Sequence, residues 1–481
     1  MNKPSRLLSS LALAVSALAA PFLAHAAATI TVINGDPVGV GFNDTTAVSP
    51  VGGNPGTTLG QQRLNVYQAV ATKWGSELSS AVPIIVYATW EALTCDESSA
   101  VLGSAGAVFI NANFPGAPFP DTWYNSALAN KIAGSDLTPP DPTSTDPLVN
   151  TGADIRARFN VNLGSATCLP GAPFYLGLDN AHGNLVDFYS VLLHELGHGL
   201  GFQVLTNSQN GKRLGSPALP SVWERFLLDN DSGQTWFQMT NAQRKRSAVN
   251  FQGLVWTGPN VTAGAPIVLT AGKAEAVLNT ARNPKTFNIG TAEYGPALTP
   301  AGITDFPATI VTQAGEVGPG CSPYDAGNIA AVSGQIAVVD RGGCAFVIKT
   351  KNAQDAGAVA VVIANNVAGG PISPAGVDPT IVISTVGVSQ DDGAAIKQSI
   401  RPRRSPALTL HLNTSLLAGA DASNHVFLYT PNPLEGGSSV SHWDTSATRN
   451  LLMEPFINDD LNHEVKVPSD LTLQLFIDIG W

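Results

Sequence analysis

Five residues, His194-Glu195-Leu196-Gly197-His198, set the terms for the rest of this 481-residue chain. On an α-helix, positions i and i+4 lie one above the other, so both imidazoles point at one spot. Two neutral ring nitrogens at that spacing suit a zinc ion. Glu195 falls beside the position that the histidines leave open, where a carboxylate can take a proton from water and pass it on. The pattern is useful only on a helix, and the flanking sequence predicts one over 184–202. Asn184 is the expected N-cap, and Asp187 falls in the first turn, where the helix dipole favours an anion. Phe188, Val191 and Leu192 supply an apolar face, and Gly199 and Gly201 mark the exit.

A zinc site that keeps an open position wants a third protein ligand. The extended pattern H-E-x-x-H-x-x-G-x-x-H would place it at 204. Gly201 is present, but residue 204 is Val, so the third ligand must come from farther away. The histidines that remain beyond residue 26 are His182, His411, His425, His442 and His463. His442 is the preferred candidate. It lies in Ser441-His442-Trp443-Asp444, eleven residues before Met453, and the chain has only three methionines. A thioether beneath a zinc site, following the third histidine, is the Met-turn arrangement. His463 and Asp444 stay open as alternative ligands. His411 and His425 lie on strand-like runs and read as structural histidines; His182 reads as a structural or supporting residue.

The N-terminus reads as an export signal over 1–26. Lys3 and Arg6 precede an apolar run from Leu7 to Ala20, and Ala24-His25-Ala26 supplies a small-x-small cleavage pattern. No later apolar stretch reaches the ~18 residues needed to span a bilayer. The mature chain is therefore expected to be secreted, without a membrane span. Four cysteines in an exported chain favour disulfides, and proximity suggests Cys95–Cys168 and Cys321–Cys344. With 25 basic against 36 acidic residues and a net charge of −11, a nucleic-acid partner is not expected.

Residue patterning divides the chain. Leu64, Tyr67, Val70, Ala71, Trp74 and Leu78 fall on one helical stripe behind a Thr58–Gln61 capping-box spacing, and Ile84–Tyr87 reads as a buried strand. Residues 136–150 read as a loop, 221–230 and 238–249 as helices, and 469–478 as a last helix. From about 263 to 418 the grammar changes to short Val/Ile strands alternating with Gly/Ala-rich helices. Strands are expected over 335–340 and 359–364, with a helix over 346–358 that carries Lys349 and Lys351 on its polar side. After about 420 the patterning of the N-terminal half returns. One domain interrupted by another is the expected organisation.

With those residues in view, HELGHGLGF and the distant SHW…LLMEP resemble the metzincin metalloproteases, most closely the leishmanolysin branch. The resemblance implies that His194, His198 and His442 bind one catalytic zinc ion. It also implies that Glu195 is the general base and Met453 the Met-turn residue. The segment GQIAVVDRGGCAFVIKTKNAQDAGAVAVVIANN, 334–366, resembles a protease-associated (PA) domain, a non-catalytic insert associated with substrate access or protein contact. The expected fold class is thus α+β: a zincin/metzincin-like catalytic domain interrupted by a β-rich α/β PA domain. Its expected parts are the signal 1–26, a catalytic segment 27–263, an insert 264–418 with its core at about 318–400, and a catalytic segment 419–481. His198 and His442 are 244 residues apart; removing the insert shortens that to roughly 89, still a long connection. The chain departs from the resemblance in two ways: no cysteine-switch propeptide is visible, and no Tyr follows Met453.

The expected activity is that of a secreted zinc-dependent endopeptidase acting on protein or peptide substrates. Two alternatives remain: a binding or adhesion protein in which the PA domain does the work and the zinc site is structural or inactive, and a metal-dependent hydrolase of some other bond. Calcium is a weaker expectation. Asp229-Asn230-Asp231-Ser232-Gly233 begins like a calcium loop, but its twelfth position is Thr240, which favours a solvated turn. Asn458-Asp459-Asp460 and the basic cluster Arg401, Arg403 and Arg404 read as solvated loops.

Overall fold

The computed structural model describes residues 27–279, 284–315, 318–400, 406–458 and 460–481. The expected signal segment, the Arg401, Arg403 and Arg404 cluster, and Asp459 lie outside the described residues. The chain is a mixed α/β protein whose first sheet has four strands: β1 (Ile30–Asn34), β2 (Ile84–Glu91), β3 (Gly103–Ala107) and β4 (Ile155–Asn160). Their order is β1-β2-β4-β3; the first three are parallel and β3 runs antiparallel along the edge. Along β2 buried Ile84, Val86, Ala88 and Trp90 alternate with more open positions, as a sheet with one covered face requires.

Two helices cover that face. Helix α1 (Leu59–Glu77) starts at Thr58, whose side chain accepts from the Gln61 N–H at 3.2 Å. The reciprocal half of the expected capping box is displaced by one residue, since Gln61 Oε1 accepts from the Thr57 N–H at 2.9 Å. Tyr67, Val70, Ala71 and Trp74 bury the expected stripe. Helix α2 (Phe188–Leu200) carries the H-E-x-x-H pattern. It begins later than expected, with Asp187 rather than Asn184 as its N-cap, accepting from the Ser190 N–H at 2.9 Å. The reason is that Val186–Asp187 pairs in parallel with Phe174–Tyr175, which keeps the backbone extended up to the cap.

The expected helix over 221–230 is not formed. A single 3₁₀ turn, Trp223–Arg225, leads into the strand Leu227–Asp229, which pairs antiparallel with Leu254–Trp256. A short apolar run is ambiguous between strand and helix, and here the partner strand decides it. Leu254–Trp256 also pairs with Val426–Phe427, which brings the C-terminal segment back beside the first half of the chain. The helix expected over 238–249 is Asn241–Ser247, with a complete Thr240–Gln243 capping box, and the last helix is Thr472–Ile479. The expected loop 136–150 runs into a short helix, Pro147–Thr151. One continuous apolar core joins Trp74, Phe188 and Trp256 to Leu428, Trp443, Met453 and Phe476.

Between these halves lies an eight-stranded sheet built from residues 271–417, with apolar cores of its own. The strand that enters it, Ala271–Asn279, and the strand that leaves it, Ala407–Leu417, pair antiparallel, with Glu275 opposite His411. The Ala418 N–H then donates to Thr270 O at 2.9 Å, so the two ends of this insert lie side by side. Strands Ile336–Asp340 and Ala360–Ala364 and the helix Phe346–Asp355 fall where expected. Lys349 does not lie on a polar face. It is fully buried, with Nζ donating to the carbonyls of Gly342 (2.6 Å) and Pro319, whereas Lys351 is more open and pairs with Asp355. A lysine stem packs like an aliphatic chain when carbonyls satisfy its head. Both disulfides form with the expected partners, Cys95–Cys168 and Cys321–Cys344. Among the described residues no helix is long and apolar enough to cross a membrane.

Trp74 ties the two helices together: its indole N–H donates to Leu193 O at 3.2 Å and its ring packs on Phe476 at 5.2 Å between centroids. Trp74→Ala is expected to cost about 3–5 kcal/mol through the cavity it leaves. A lowered urea midpoint with an unchanged slope checks this.

Candidate metal centre

Helix α2 places His194 and His198 one turn apart, and both imidazoles are buried. The strand pairing of Leu254–Trp256 with Val426–Phe427, and a bridge between Leu428 and Trp443, carry His442 to the same point. The three Nε2 atoms lie 3.1 Å (His194–His198), 3.2 Å (His198–His442) and 3.3 Å (His442–His194) apart. Tetrahedral zinc with Zn–N bonds of about 2.0–2.1 Å would separate its donors by about 3.3–3.4 Å, so this triangle fits that ion closely. Among the described residues these three histidines form the one cluster of metal-binding side chains of that compactness.

The other nitrogen of each ring explains why all three Nε2 lone pairs face inward. Nδ1–H of His194 donates to Leu452 O (2.7 Å), that of His198 to Phe202 O (2.7 Å), and that of His442 to Ser438 O (2.8 Å). A carbonyl can only accept, so it fixes the proton on Nδ1 and leaves Nε2 free as a ligand. Burial also opposes a positive charge on the rings. It holds His194 down at about 3 and His198 at about 4, and His442 well below the usual imidazole value. Neutral imidazoles are the form that binds a metal.

The Leu452 acceptor is itself held: the Leu452 N–H donates to the buried Asp470 carboxylate at 2.7 Å, and the Leu451 N–H to Glu454 at 2.8 Å. Met453, fully buried, lies under the helix. A Cβ added to Gly197 would come within 2.8 Å of its sulfur. The Met453 carbonyl accepts from the Trp443 N–H at 2.8 Å, which links the methionine turn to the residue after His442.

Glu195 points to the opposite wall. Its Cγ would stand 3.0 Å from a Cβ on Gly103 of the edge strand β3, and the Ala105 N–H donates to its carboxylate. Burial pushes this carboxyl up to about 8, against the Ala105 hydrogen bond and the charge of Arg158. A dication alongside would act in the same lowering sense. The cleft above has a volume of about 1140 Å³ and runs between β3 and the loop Leu434–Ser439, with Pro455–Ile457 at its rim. No Lys, Arg or Tyr is among the described residues lining it, so no cationic or phenolic electrophile faces the histidines.

The competing ligands are engaged elsewhere. His463 Nε2 donates to Asp187 at 2.7 Å and its ring stacks on Tyr189, so it supports the N-cap of α2. Asp444 is buried and accepts from the Ser446 N–H at 3.0 Å and from its hydroxyl. His425 pairs with Asp421, His411 lies opposite Glu275 in the insert sheet, and His182 bonds Leu185 O at the cleft wall. At the expected calcium loop both Asp229 oxygens accept from protein donors, Ser232 and Asn250, and the segment is a closed turn. The sequence pattern did not point to the Asp187–His463 pair, the Asp470 support or the edge strand; only Asp187 carried a local signal, as an acid near the helix start.

Comparison with known proteins bears on the insert. Residues 306–396 match the PA domain family model, so the chain carries a PA domain; that match starts within the strand Ile303–Ile310, ahead of the core expected at 318–400. A probable lipoprotein aminopeptidase, LpqL, of Mycobacterium tuberculosis is 33% identical over 114 residues, 23% of this chain. The chain thus spans about a fifth (21%) of that relative's length. The zinc aminopeptidase BSAP of Bacillus subtilis is 26% identical in a match covering 32% of this chain and 35% of that one, with a TM-score of 0.23. An aminopeptidase of Aneurinibacillus sp. strain AM-1 is 20% identical over 30% of this chain and 31% of that one, with a TM-score of 0.22. Likenesses of that score do not define the fold around the histidines.

The Gly197–Met453 contact gives a direct test of the site's floor. Gly197→Ala is expected to cost about 1–3 kcal/mol by overpacking. Met453→Ala is then expected to cost less in the Gly197→Ala background than in the wild type, by about 1 kcal/mol or more. Urea denaturation of the four proteins measures the difference, and strictly additive losses would show that the two positions do not act on each other.

Proposed function

We propose that the chain is an exported, zinc-dependent endopeptidase of the metzincin type, with its catalytic unit in 27–263 and 419–481 and the insert 264–418 between. The observation that carries this reading is the triangle of three Nε2 atoms with each Nδ1 committed to a carbonyl. Three protein ligands and a cleft on the fourth side are the pattern of a catalytic rather than a structural zinc site. His194, His198 and His442 would hold the ion, which supplies Lewis acidity toward a scissile carbonyl.

The rest of the work falls to the chain's own residues. Glu195, held by the Ala105 N–H, takes the proton of the attacking water and delivers it to the departing amine. Strand β3 ends its sheet and lines the cleft, so an extended peptide can lie along it as a further strand, held by main-chain hydrogen bonds. Met453 fixes the floor beneath Gly197. The two disulfides suit an oxidising compartment outside the cytoplasm.

An exopeptidase that removes N-terminal residues is the second reading, favoured by the aminopeptidase name of the Mycobacterium tuberculosis relative. A binding protein with an inactive zinc site is the third. Digestion of casein and of a peptide library, followed by mass spectrometry, separates them. Internal cleavages that a chelator abolishes support the proposal, stepwise N-terminal trimming supports the second reading, and an intact library supports the third. Glu195→Gln is expected to keep zinc and lower kcat by at least about 10²-fold, while His442→Ala is expected to lose zinc on dialysis. A His442→Ala protein that keeps zinc and full activity would sink this ligand assignment.

A further inference from the structure

The PA insert touches the catalytic unit at a place with consequences for the third histidine. At the junction, Lys273 of the entering strand lies over the Phe427 ring at 5.3 Å, and the Thr270 N–H donates to Thr448 O. A second contact is made by the insert loop 366–370, nearly a hundred residues along the chain from the entering strand. Gly369 abuts the Asn432 carbonyl so closely that a side chain could not be placed there, and Gly370 lies against the Phe251 ring, 2.6 Å from where its Cβ would be.

Neither partner lines the metal cleft, but both adjoin the segment that does. Asn432 starts the loop whose residues 434–439 line the cleft and whose Ser438 carbonyl accepts from His442 Nδ1. That loop is closed at its base by Val440 N–H to Tyr429 O (2.8 Å) and Tyr429 N–H to His442 O (2.9 Å). Phe251 follows Asn250, whose carbonyl accepts from the Thr430 hydroxyl at 2.7 Å. On the insert side the loop is fastened to its own domain: Arg341 donates to the buried Asn365 side chain at 3.2 Å, and Gln390 to Asn366 O at 3.1 Å. A continuous run of close contacts thus leads from the insert's sheet to the imidazole of His442.

We infer that the PA insert is a positioning element for His442, with Gly370 and Phe251 as the residues through which it acts. The insert braces the wall 430–439 and thereby sets both the aim of the third imidazole and the width of the cleft. This rests on the zinc reading above, but the brace itself is a mechanical statement that can be read without activity. Neither residue touches metal or substrate.

The test uses the full chain as wild type, Gly370→Val, Phe251→Ala, the double variant, and Gly327→Val as a control on an exposed helix of the insert. Zinc loss to a chelator, hydrogen exchange at the amides of 430–443, and KM and kcat are measured on each. Gly370→Val is expected to speed zinc loss about tenfold or more, the scale seen when a metal ligand's support is disturbed, and to speed exchange at Val440 and Tyr429. The insert's own amides should exchange as before. Phe251→Ala, which removes the ring without altering the insert, should act in the same direction, and the double variant should recover toward the wild type. Gly370→Val and Phe251→Ala proteins that match the Gly327→Val control in exchange and zinc loss would overturn the inference. A wild type that binds no zinc would instead remove the functional reading, and the exchange data alone would then decide the brace.

Discussion

Three imidazole lone pairs aimed at one point repel each other, and the surrounding main chain holds them there. Each Nδ1 proton is taken by a main-chain carbonyl from a different part of the chain: the turn after α2, the loop before His442, and the segment at the methionine turn. Without those acceptors a buried ring could turn its proton inward and relieve the repulsion. With them, the most favourable partner for the triangle is a cation. The rigidity follows from burial, because the helix, the methionine turn and the returning strand share one apolar core.

The long separation of His198 and His442 in sequence is resolved by a local fact. The entering and leaving strands of the insert pair along most of their length, so the insert closes on itself and returns the chain to the residue it left. Its extra length therefore adds little to the closure entropy of the unit around it, which grows only slowly with loop length in any case. The insert carries a PA domain, yet it is not a detached one: its loop at 366–370 packs against Phe251 and Asn432 of the surrounding unit.

Much of this is legible in the sequence, for reasons that can be named. The H-E-x-x-H spacing is a helix-face statement, so it holds even though the helix starts four residues later than expected. His442 can be chosen because a scarce methionine follows it at short range, and cysteine pairing by proximity works because each cysteine joins its nearer neighbour in sequence, across 73 and 23 residues. What stays hidden is what depends on a distant partner. Leu227-Leu228-Asp229 reads as helix until Leu254–Trp256 is beside it. Asn184 looks like a cap until Val186–Asp187 is drawn into a strand pair. Lys349 looks solvated until the carbonyls of Pro319 and Gly342 surround it. Asp470 gives no signal at all, since its role is to hold the backbone of Leu452.

The acceptors that orient the three rings are all peptide oxygens. Every amino acid brings the same oxygen, so exchanging the side chains at 202, 438 or 452 leaves the donor–acceptor pairing chemically intact. At 438, which lines the cleft, the side chain is then free to vary while the orientation of the imidazole is kept; at 202 and 452 burial in the core limits the choice to apolar residues. What can detune the imidazoles is a change that moves the main chain itself, whether an insertion, a proline, or the loss of a side chain such as Asp470 that holds the backbone of Leu452.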